Sequence, residues 1–267
     1  MSRPKRRLGQ HFLRDPRILA RIADALEATP EDTVLEIGPG PGGLTAALAE
    51  RAGRVVAIEK DHELVAGLRA RLPRVEVVEG DALELDWSAV AGAGAGNYLL
   101  AGNIPYNITS PLLDRALTPP RPRRIVFLVQ KEVARRVGAL PGGSEYGALS
   151  IGVQAVARVE VLFTIHAGAF HPPPEVDSAV LRLVPLEAPL VPDTEVRRFR
   201  TLVVGLFGFR RKQLARGLRE LTGWNAARVQ EILAGIELPV TIRPEGLAPP
   251  EFVRLHRALV DGGWRPA

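Results

Sequence analysis

The sequence predicts a mainly parallel α/β domain followed by a small all-α domain, on three observations. Between Thr33 and Val129, short apolar runs alternate with helical stretches, the order that lays strands side by side in parallel. A glycine-rich turn, Gly38-Pro39-Gly40-Pro41-Gly42-Gly43, follows the first of these runs directly. Beyond a proline-bearing linker, Leu183–Thr194, only helical patterns remain. The domains are therefore drawn at residues 1–184 and 185–267, with a basic arm over residues 1–14.

Asp15 is placed to cap a helix that starts at Pro16 and runs to Ala28, with Ile18, Ile22 and Leu26 on one face. Thr33–Ile37 reads as a buried strand, and Leu44–Arg51 as the helix after the glycine turn. Arg54–Ile58 is a second strand ending in Glu59, followed by a helix to about Leu72. Val75–Val78 is a third strand leading into Gly80-Asp81, and the Ala/Gly segment 91–96 is a connector. The apolar run Tyr98–Gly102 ends at Asn103-Ile104-Pro105-Tyr106, after which Thr109 or Ser110 is placed to cap a helix with Pro111 near its first position. Ile125–Val129 is a fifth strand, with a helix from about Lys131. Val159–Ile165 and Ala179–Val184 lack a long helix between them, which predicts an antiparallel pair at the sheet edge. Helices are then expected near 195–207, 211–221, 225–234 and 250–260.

Composition narrows the chemistry. There is no Cys, so no disulfide framework and no thiolate nucleophile, and the five His show no metal-ligand spacing. The N-terminus is basic but no apolar segment of the secretory kind follows, and no stretch reads as membrane-spanning. A soluble, cytoplasmic protein is expected. Residues 1–14 carry a net +5, and residues 185–267, with 13 basic and nine acidic side chains, carry +4. The chain as a whole is +5, which leaves −4 for residues 15–184. Two basic ends around an acidic body suit a protein whose ends grip a polyanion.

Gly38, Gly40 and Gly43 match G-x-G-x-x-G, and Glu59 stands 21 residues after Gly38, where an acid accepts the hydroxyls of a ribose. The pattern alone admits a nicotinamide dinucleotide or S-adenosylmethionine. Three features favour the second. Glu36 is unwelcome beside a pyrophosphate but compatible with a cationic amine or sulfonium. Pro39 and Pro41 remove two N–H groups that a pyrophosphate needs. Asp81, after the third strand, is placed to accept from an adenine amine.

The ordered set Leu8-Gly9-Gln10-His11-Phe12-Leu13, Glu36-Ile37-Gly38-Pro39-Gly40, Glu59, Gly80-Asp81, Asn103-Ile104-Pro105-Tyr106-Asn107, Phe170 with Pro172-Pro173-Pro174, Val176-Asp177-Ser178 and Phe209-Arg210-Arg211-Lys212 resembles the ribosomal RNA adenine N6-dimethyltransferases. The branch it most resembles acts on two adjacent adenines near the 3′ end of small-subunit ribosomal RNA. The resemblance implies a Rossmann-like methyltransferase domain of about seven strands, S-adenosylmethionine as cofactor, and a helical domain that contacts the ribosome. It further implies a monomer acting on small-subunit RNA or the immature small subunit, with no membrane partner. By the same resemblance His11, Leu13, Gly38, Glu59, Asp81 and Asn103 line the cofactor site, and position 11 is often Asn in the family. Asn103 and the Ile104 carbonyl would accept from the target amine, Pro105 would aim that carbonyl, and Tyr106 would stack on the base with Phe170 a candidate for its other face. Large-subunit RNA as substrate, a mainly non-catalytic assembly role, and a nicotinamide-dependent oxidoreductase stand as alternatives.

If all five basic residues of 1–14 meet phosphates, that arm alone contributes a slope of roughly −3.5 to log K against log salt. Deletion of residues 1–7 is expected to flatten the slope measured with ribosomal RNA. An unchanged slope would show that the arm is not a phosphate grip.

Overall fold

The computed structural model describes residues 10–92, 94 and 96–265. Arg3, Lys5, Arg6 and Arg7 of the basic arm, with Leu8 and Gly9, lie outside them, as does part of the Ala/Gly connector. The chain divides into two compact units. One holds the residues up to Ala134 together with Val159–Pro185; the other holds Arg135–Arg158 together with the residues from Leu186 onward. A cut near residue 184 is therefore one of the places where the chain changes unit, and the segment Arg135–Arg158 groups with the C-terminal helices.

In the first unit the chain runs β1 (Phe12–Leu13), α1 (Pro16–Ala25), β2 (Thr33–Ile37), α2 (Gly43–Ala49), β3 (Arg54–Glu59), α3 (His62–Arg71), β4 (Glu76–Glu79), α4 (Trp87–Ala91), β5 (Leu99–Asn103), α5 (Thr109–Ala116) and β6 (Arg124–Gln130). α6 (Lys131–Val137) then crosses into the second unit, which holds α7 (Ala148–Gln154), and the chain comes back with β7 (Ala157–Ile165), β8 (Phe170–His171) and β9 (Ser178–Pro185). Seven strands form one sheet in the order β4-β3-β2-β5-β6-β9-β7. The five from β4 to β6 are parallel, and β9 runs antiparallel to β6. β7 lies beside β9 at the edge, where the sequence places it. Val34, Leu35 and Ile37 of β2 are all buried, so its apolar run is continuous because both faces are covered.

The strand order reverses between β2 and β5, which opens a crevice over their carboxyl ends. Ile37 and Gly102 are register partners there. A Cβ on Gly102 would stand 2.6 Å from the Ile37 carbonyl, so only glycine lets the strands meet at that point. Gly38, Gly40 and Gly42 take φ of 69°, 57° and 87°, the left-handed region that lets the turn fold back toward α2. β1 and β8 make a separate two-stranded ribbon, with Phe12 opposite His171 and Leu13 opposite Phe170.

Two local readings change. α5 carries no side-chain cap; a single 3-10 turn, Tyr106–Ile108, leads into it, and the Thr109 hydroxyl bonds back to the Pro105 carbonyl at 3.3 Å. α7 is a helix that the sequence pattern does not announce: two of its residues, Ser150 and Gly152, are poor helix formers, and its N-cap is Gly147.

The second unit adds α8 (Val196–Gly208), α9 (Leu214–Thr222), α10 (Ala226–Gly235) and α11 (Pro249–Asp261). Buried Tyr146 donates its hydroxyl to the Leu247 carbonyl at 2.7 Å and meets Phe207 edge-on at 6.4 Å; Phe207 stacks on Phe252 at 6.1 Å. Phe207 is therefore core. Arg210 bonds Glu245 at 2.7 Å and the Ser144 carbonyl at 2.8 Å, fastening two loops of this unit. Among the described residues no helix is long and apolar enough to cross a membrane.

Candidate active site

A cavity of about 220 Å³ lies over the β2/β5 crevice. Of the residues expected there, it is lined by His11, Gly38, Glu59, Asp81, Asn103, Ile104, Pro105 and Tyr106. Leu13 and Phe170 are not among its lining. They pair in the β1–β8 ribbon, are 7% and 5% exposed, and belong to the hydrophobic core. Gln10, His11 and Phe12, next to Leu13 in the chain, do line the cavity, and Leu13 itself lines a small adjoining space with Glu36, Gly38 and Asn103.

Glu59 ends β3 at 5% exposure. One carboxylate oxygen accepts the Gly40 N–H at 3.0 Å and the other accepts the Asp61 N–H at 2.8 Å. Burial raises its pKa, and these backbone N–H groups act against the rise. The bond from Gly40 also removes a loop N–H that a pyrophosphate would use. With Pro39 and Pro41 offering none, three N–H groups of the turn are withheld from a phosphate. Asp81 is held differently. Lys60 Nζ lies 2.5 Å from one oxygen and the Leu83 N–H 2.9 Å from the other, and the Lys60 bond first of all lowers its pKa. Asp81 is thus an ionised acceptor at the cavity rim, with Ala82 and Leu83 as an apolar wall beside it.

Glu36, next to the glycines on β2, is 1% exposed and its Oε2 has no hydrogen-bond partner. Burial pushes its pKa up to about 8, with repulsion from Glu59 adding to the effect. Thr45 is the polar neighbour that opposes this, yet its buried hydroxyl forms no hydrogen bond either.

On the other side of the crevice, Asn103 Nδ2 donates to the His11 carbonyl at 2.8 Å. Asn103 Oδ1 is left free of any bond to a described residue. Ile104 donates its N–H to the Leu128 carbonyl at 3.0 Å, while its own carbonyl accepts none among the described residues. Pro105, with φ −55°, sets the chain leaving that carbonyl. Tyr106 is half-buried; its hydroxyl shares a 2.7 Å hydrogen bond with Ser178, a fully buried residue. Burial raises the tyrosine pKa, so the ring is neutral. The His11 ring stacks on the Tyr106 ring at 5.7 Å and 24°, tethered by its Nδ1 to the Pro172 carbonyl at 2.8 Å.

The sequence reading overlooks Lys60 and the Ser178–Tyr106 bond as working parts. Lys60 is signalled only by its place after Glu59, and Ser178 by standing at the end of a motif whose partner lies 72 residues away.

A doubly wound sheet of this order, with its crevice ringed by acids and glycines, is that of an S-adenosylmethionine-dependent methyltransferase of class I fold. Solved structures agree: a dimethyladenosine transferase from Plasmodium falciparum superposes with a TM-score of 0.85 at 26% identity, covering 95% of this chain and 99% of its own. The 23S rRNA methyltransferase ErmE superposes at 0.72 with 30% identity, covering 93% and 99%. Within that class the chain belongs to the ribosomal RNA adenine dimethylase family, whose sequence model matches residues 1–245. Among its relatives, Ribosomal RNA small subunit methyltransferase A of Geobacter metallireducens is 42% identical over 98% of this chain and 97% of its own length. The protein of the same name from Moorella thermoacetica is 41% identical over 96% and 92%.

Two outcomes are expected from these contacts. Ser178→Ala strips the Tyr106 hydroxyl of its partner, a loss of about 0.5–1.5 kcal/mol. KM for RNA should rise roughly two- to tenfold with the cofactor KM unchanged, and Tyr106→Phe should match it without further loss in the double variant. A rise in the cofactor KM instead would place the pair elsewhere in the mechanism. Glu36 keeps its proton in the folded protein up to about pH 8, against an ordinary value of 4.5, so its contribution to stability is lost as pH climbs between those values. Glu36→Gln is expected to flatten the fall in Tm over that range and to leave the variant the more stable above pH 8. Parallel Tm–pH curves would show that the carboxyl is solvated.

Proposed function

We propose that this protein methylates N6 of two adjacent adenines, twice each, in the 3′-terminal hairpin of small-subunit ribosomal RNA, as a monomer acting in the cytoplasm on immature small subunits. The modification makes it a participant in small-subunit biogenesis. The observation that carries the reading is the orientation of the Asn103 amide: its NH₂ is spent on the His11 carbonyl, so Oδ1 is the atom left to meet a substrate donor. The residues of the cavity fit S-adenosylmethionine, with Glu59 for the ribose, Asp81 for the adenine amine and Gly38 giving close backbone approach. The bound cofactor supplies a methyl group on an electrophilic sulfonium.

The chain's own residues make the acceptor amine reactive. The N6 lone pair of adenine is delocalised into the ring and is a weak nucleophile. Asn103 Oδ1 and the Ile104 carbonyl each accept one N6 hydrogen, drawing both to one side so that the lone pair turns to the other. Pro105 keeps the Ile104 carbonyl in that direction. Tyr106 stacks on the purine after it has left its helix, a contact worth roughly 1–3 kcal/mol. The amine proton becomes acidic only once the nitrogen carries the methyl, so no side chain needs to act as a strong base. For the second transfer one hydrogen has been replaced by a methyl, and one acceptor is enough to orient the nitrogen.

The names of the sequence relatives support the small subunit as substrate, as does the higher TM-score to the dimethyladenosine transferase than to the 23S rRNA enzyme. Labelled-methyl transfer to small subunits, free ribosomal RNA and large subunits, with mapping of the modified base, tests the choice; label confined to large subunits would reverse it. Asn103→Ala is expected to cut the rate of transfer by about 10²–10³, with cofactor binding by calorimetry retained. Full activity in that variant would remove the amide from the mechanism.

A further inference from the structure

The wall that Ala82 and Leu83 form beside Asp81 belongs to neither a strand nor a helix; residues 81–86 make a turn between β4 and α4. The Asp81 carbonyl closes the turn, accepting the Glu84 and Leu85 N–H groups at 2.9 and 3.1 Å. The carbonyls of Ala82, Leu83 and Leu85 meet no backbone donor among the described residues, and side chains take all three. Trp87 Nε1 donates to Ala82 at 2.8 Å. Arg115 donates Nη1 to Leu83 at 2.5 Å and Nη2 to Leu85. Its guanidinium also lies over the buried Trp87 ring, 5.2 Å from the ring centre. Two carbonyls of one turn are what a rigid planar fork can hold together, whereas an ammonium is a single point of charge.

Arg115 stands in the last turn of α5. The other end of that helix follows directly on Tyr106–Ile108, and Tyr106, Asn107 and Ile108 line the cavity. One short helix therefore joins two walls. Its start continues the segment that meets the target base, and its last turn holds the turn beside Asp81. The hold reaches the carboxylate through one residue. Leu83, fixed at its carbonyl by Arg115, donates its N–H to Asp81 Oδ1 at 2.9 Å, while Lys60 takes Oδ2 at 2.5 Å. The turn is also packed closely on the strand end: a Cβ on Gly80 would stand 2.8 Å from Leu85 Cδ1.

We propose that Arg115 is a positioning residue of the cofactor site, which by holding the Leu83 and Leu85 carbonyls keeps Asp81 and Leu83 where they read the adenine amine of S-adenosylmethionine. This rests on the placement of that amine at Asp81 given above. Arg115 does not itself line the cavity and takes no part in methyl transfer.

The test is calorimetry on the full chain with S-adenosylhomocysteine and with S-inosylhomocysteine, in which a ring carbonyl replaces the amine. Arg115→Ala should bind the first roughly tenfold more weakly and the second within about threefold of the parent, so that the preference for the amine shrinks. Arg115→Lys keeps the charge but cannot bridge two carbonyls, and should shift both affinities in the same sense. Arg69→Ala is the control, because Arg69 makes the same kind of bond, to the Val77 carbonyl of β4 at 2.9 Å. Its loss should leave both affinities within about twofold. In methyl transfer the cofactor KM of Arg115→Ala should rise while kcat at saturating cofactor holds. Parental affinity of Arg115→Ala for S-adenosylhomocysteine would overturn the proposal. So would equal losses for the two ligands, or an equal loss in Arg69→Ala, either of which would reduce Arg115 to a support of the fold. If Arg115→Ala does not fold, Arg115→Lys decides, and parental affinity and preference in it would overturn the proposal. If the parent takes both ligands equally, the placement of the amine at Asp81 fails, while the drop in S-adenosylhomocysteine affinity against Arg69→Ala still judges the grip of Arg115.

Discussion

A backbone carbonyl can only accept a hydrogen bond, and the centre of this molecule depends on that restriction. The His11 carbonyl faces the Asn103 amide, so the amide must turn its NH₂ toward the ribbon and its oxygen away from it. A carboxamide left unrestrained has two orientations of nearly equal energy; here the choice is made by a residue 92 positions earlier in the chain. Chemistry at an amine needs acceptors, and an amide flipped the other way would present donors.

The carboxylates around the cavity divide by environment. Asp81 keeps its charge because Lys60 sits on it, whereas Glu36 and Glu59 are pushed toward the neutral form by burial. Glu59 is rescued in part by two backbone N–H groups, which also hold the glycine turn in place. Glu36 receives no such help. The strained side of the site is therefore the side under the glycine loop, and the relaxed side is the rim where an adenine ring would lie.

Much of this was legible in advance, for identifiable reasons. Four of the five strands from Thr33 to Gln130 announce themselves because they are buried on both faces and read as apolar runs; β4, at the sheet edge with Glu76 and Glu79 exposed, is the exception. The glycine turn, Glu59, Asp81 and Asn103 stand at strand ends, where one-dimensional pattern and three-dimensional position coincide. What was not legible is set by long-range contact. The pairing of Leu13 with Phe170 buries both side chains. Nothing local in either segment says so. The Ser178–Tyr106 bond and the fastening of Arg210 to Glu245 are likewise properties of meetings between distant segments. Arg210 shows the point well, since Arg211 and Lys212, which follow it, make no side-chain bond to a described residue while it is fastened to Glu245.

The β1–β8 ribbon joins the start of the described chain to residues near 170, spanning almost all of the first unit in between. A connection of that length is among the last to form when a chain is made from its N-terminus. While a growing chain ends before Phe170, the His11 carbonyl lacks the frame that brings it to Asn103, even though the glycine turn and both acids have already been synthesised. On the proposed role of Asn103, a nascent fragment ending before the second strand of the ribbon would lack the restraint that orients the amide.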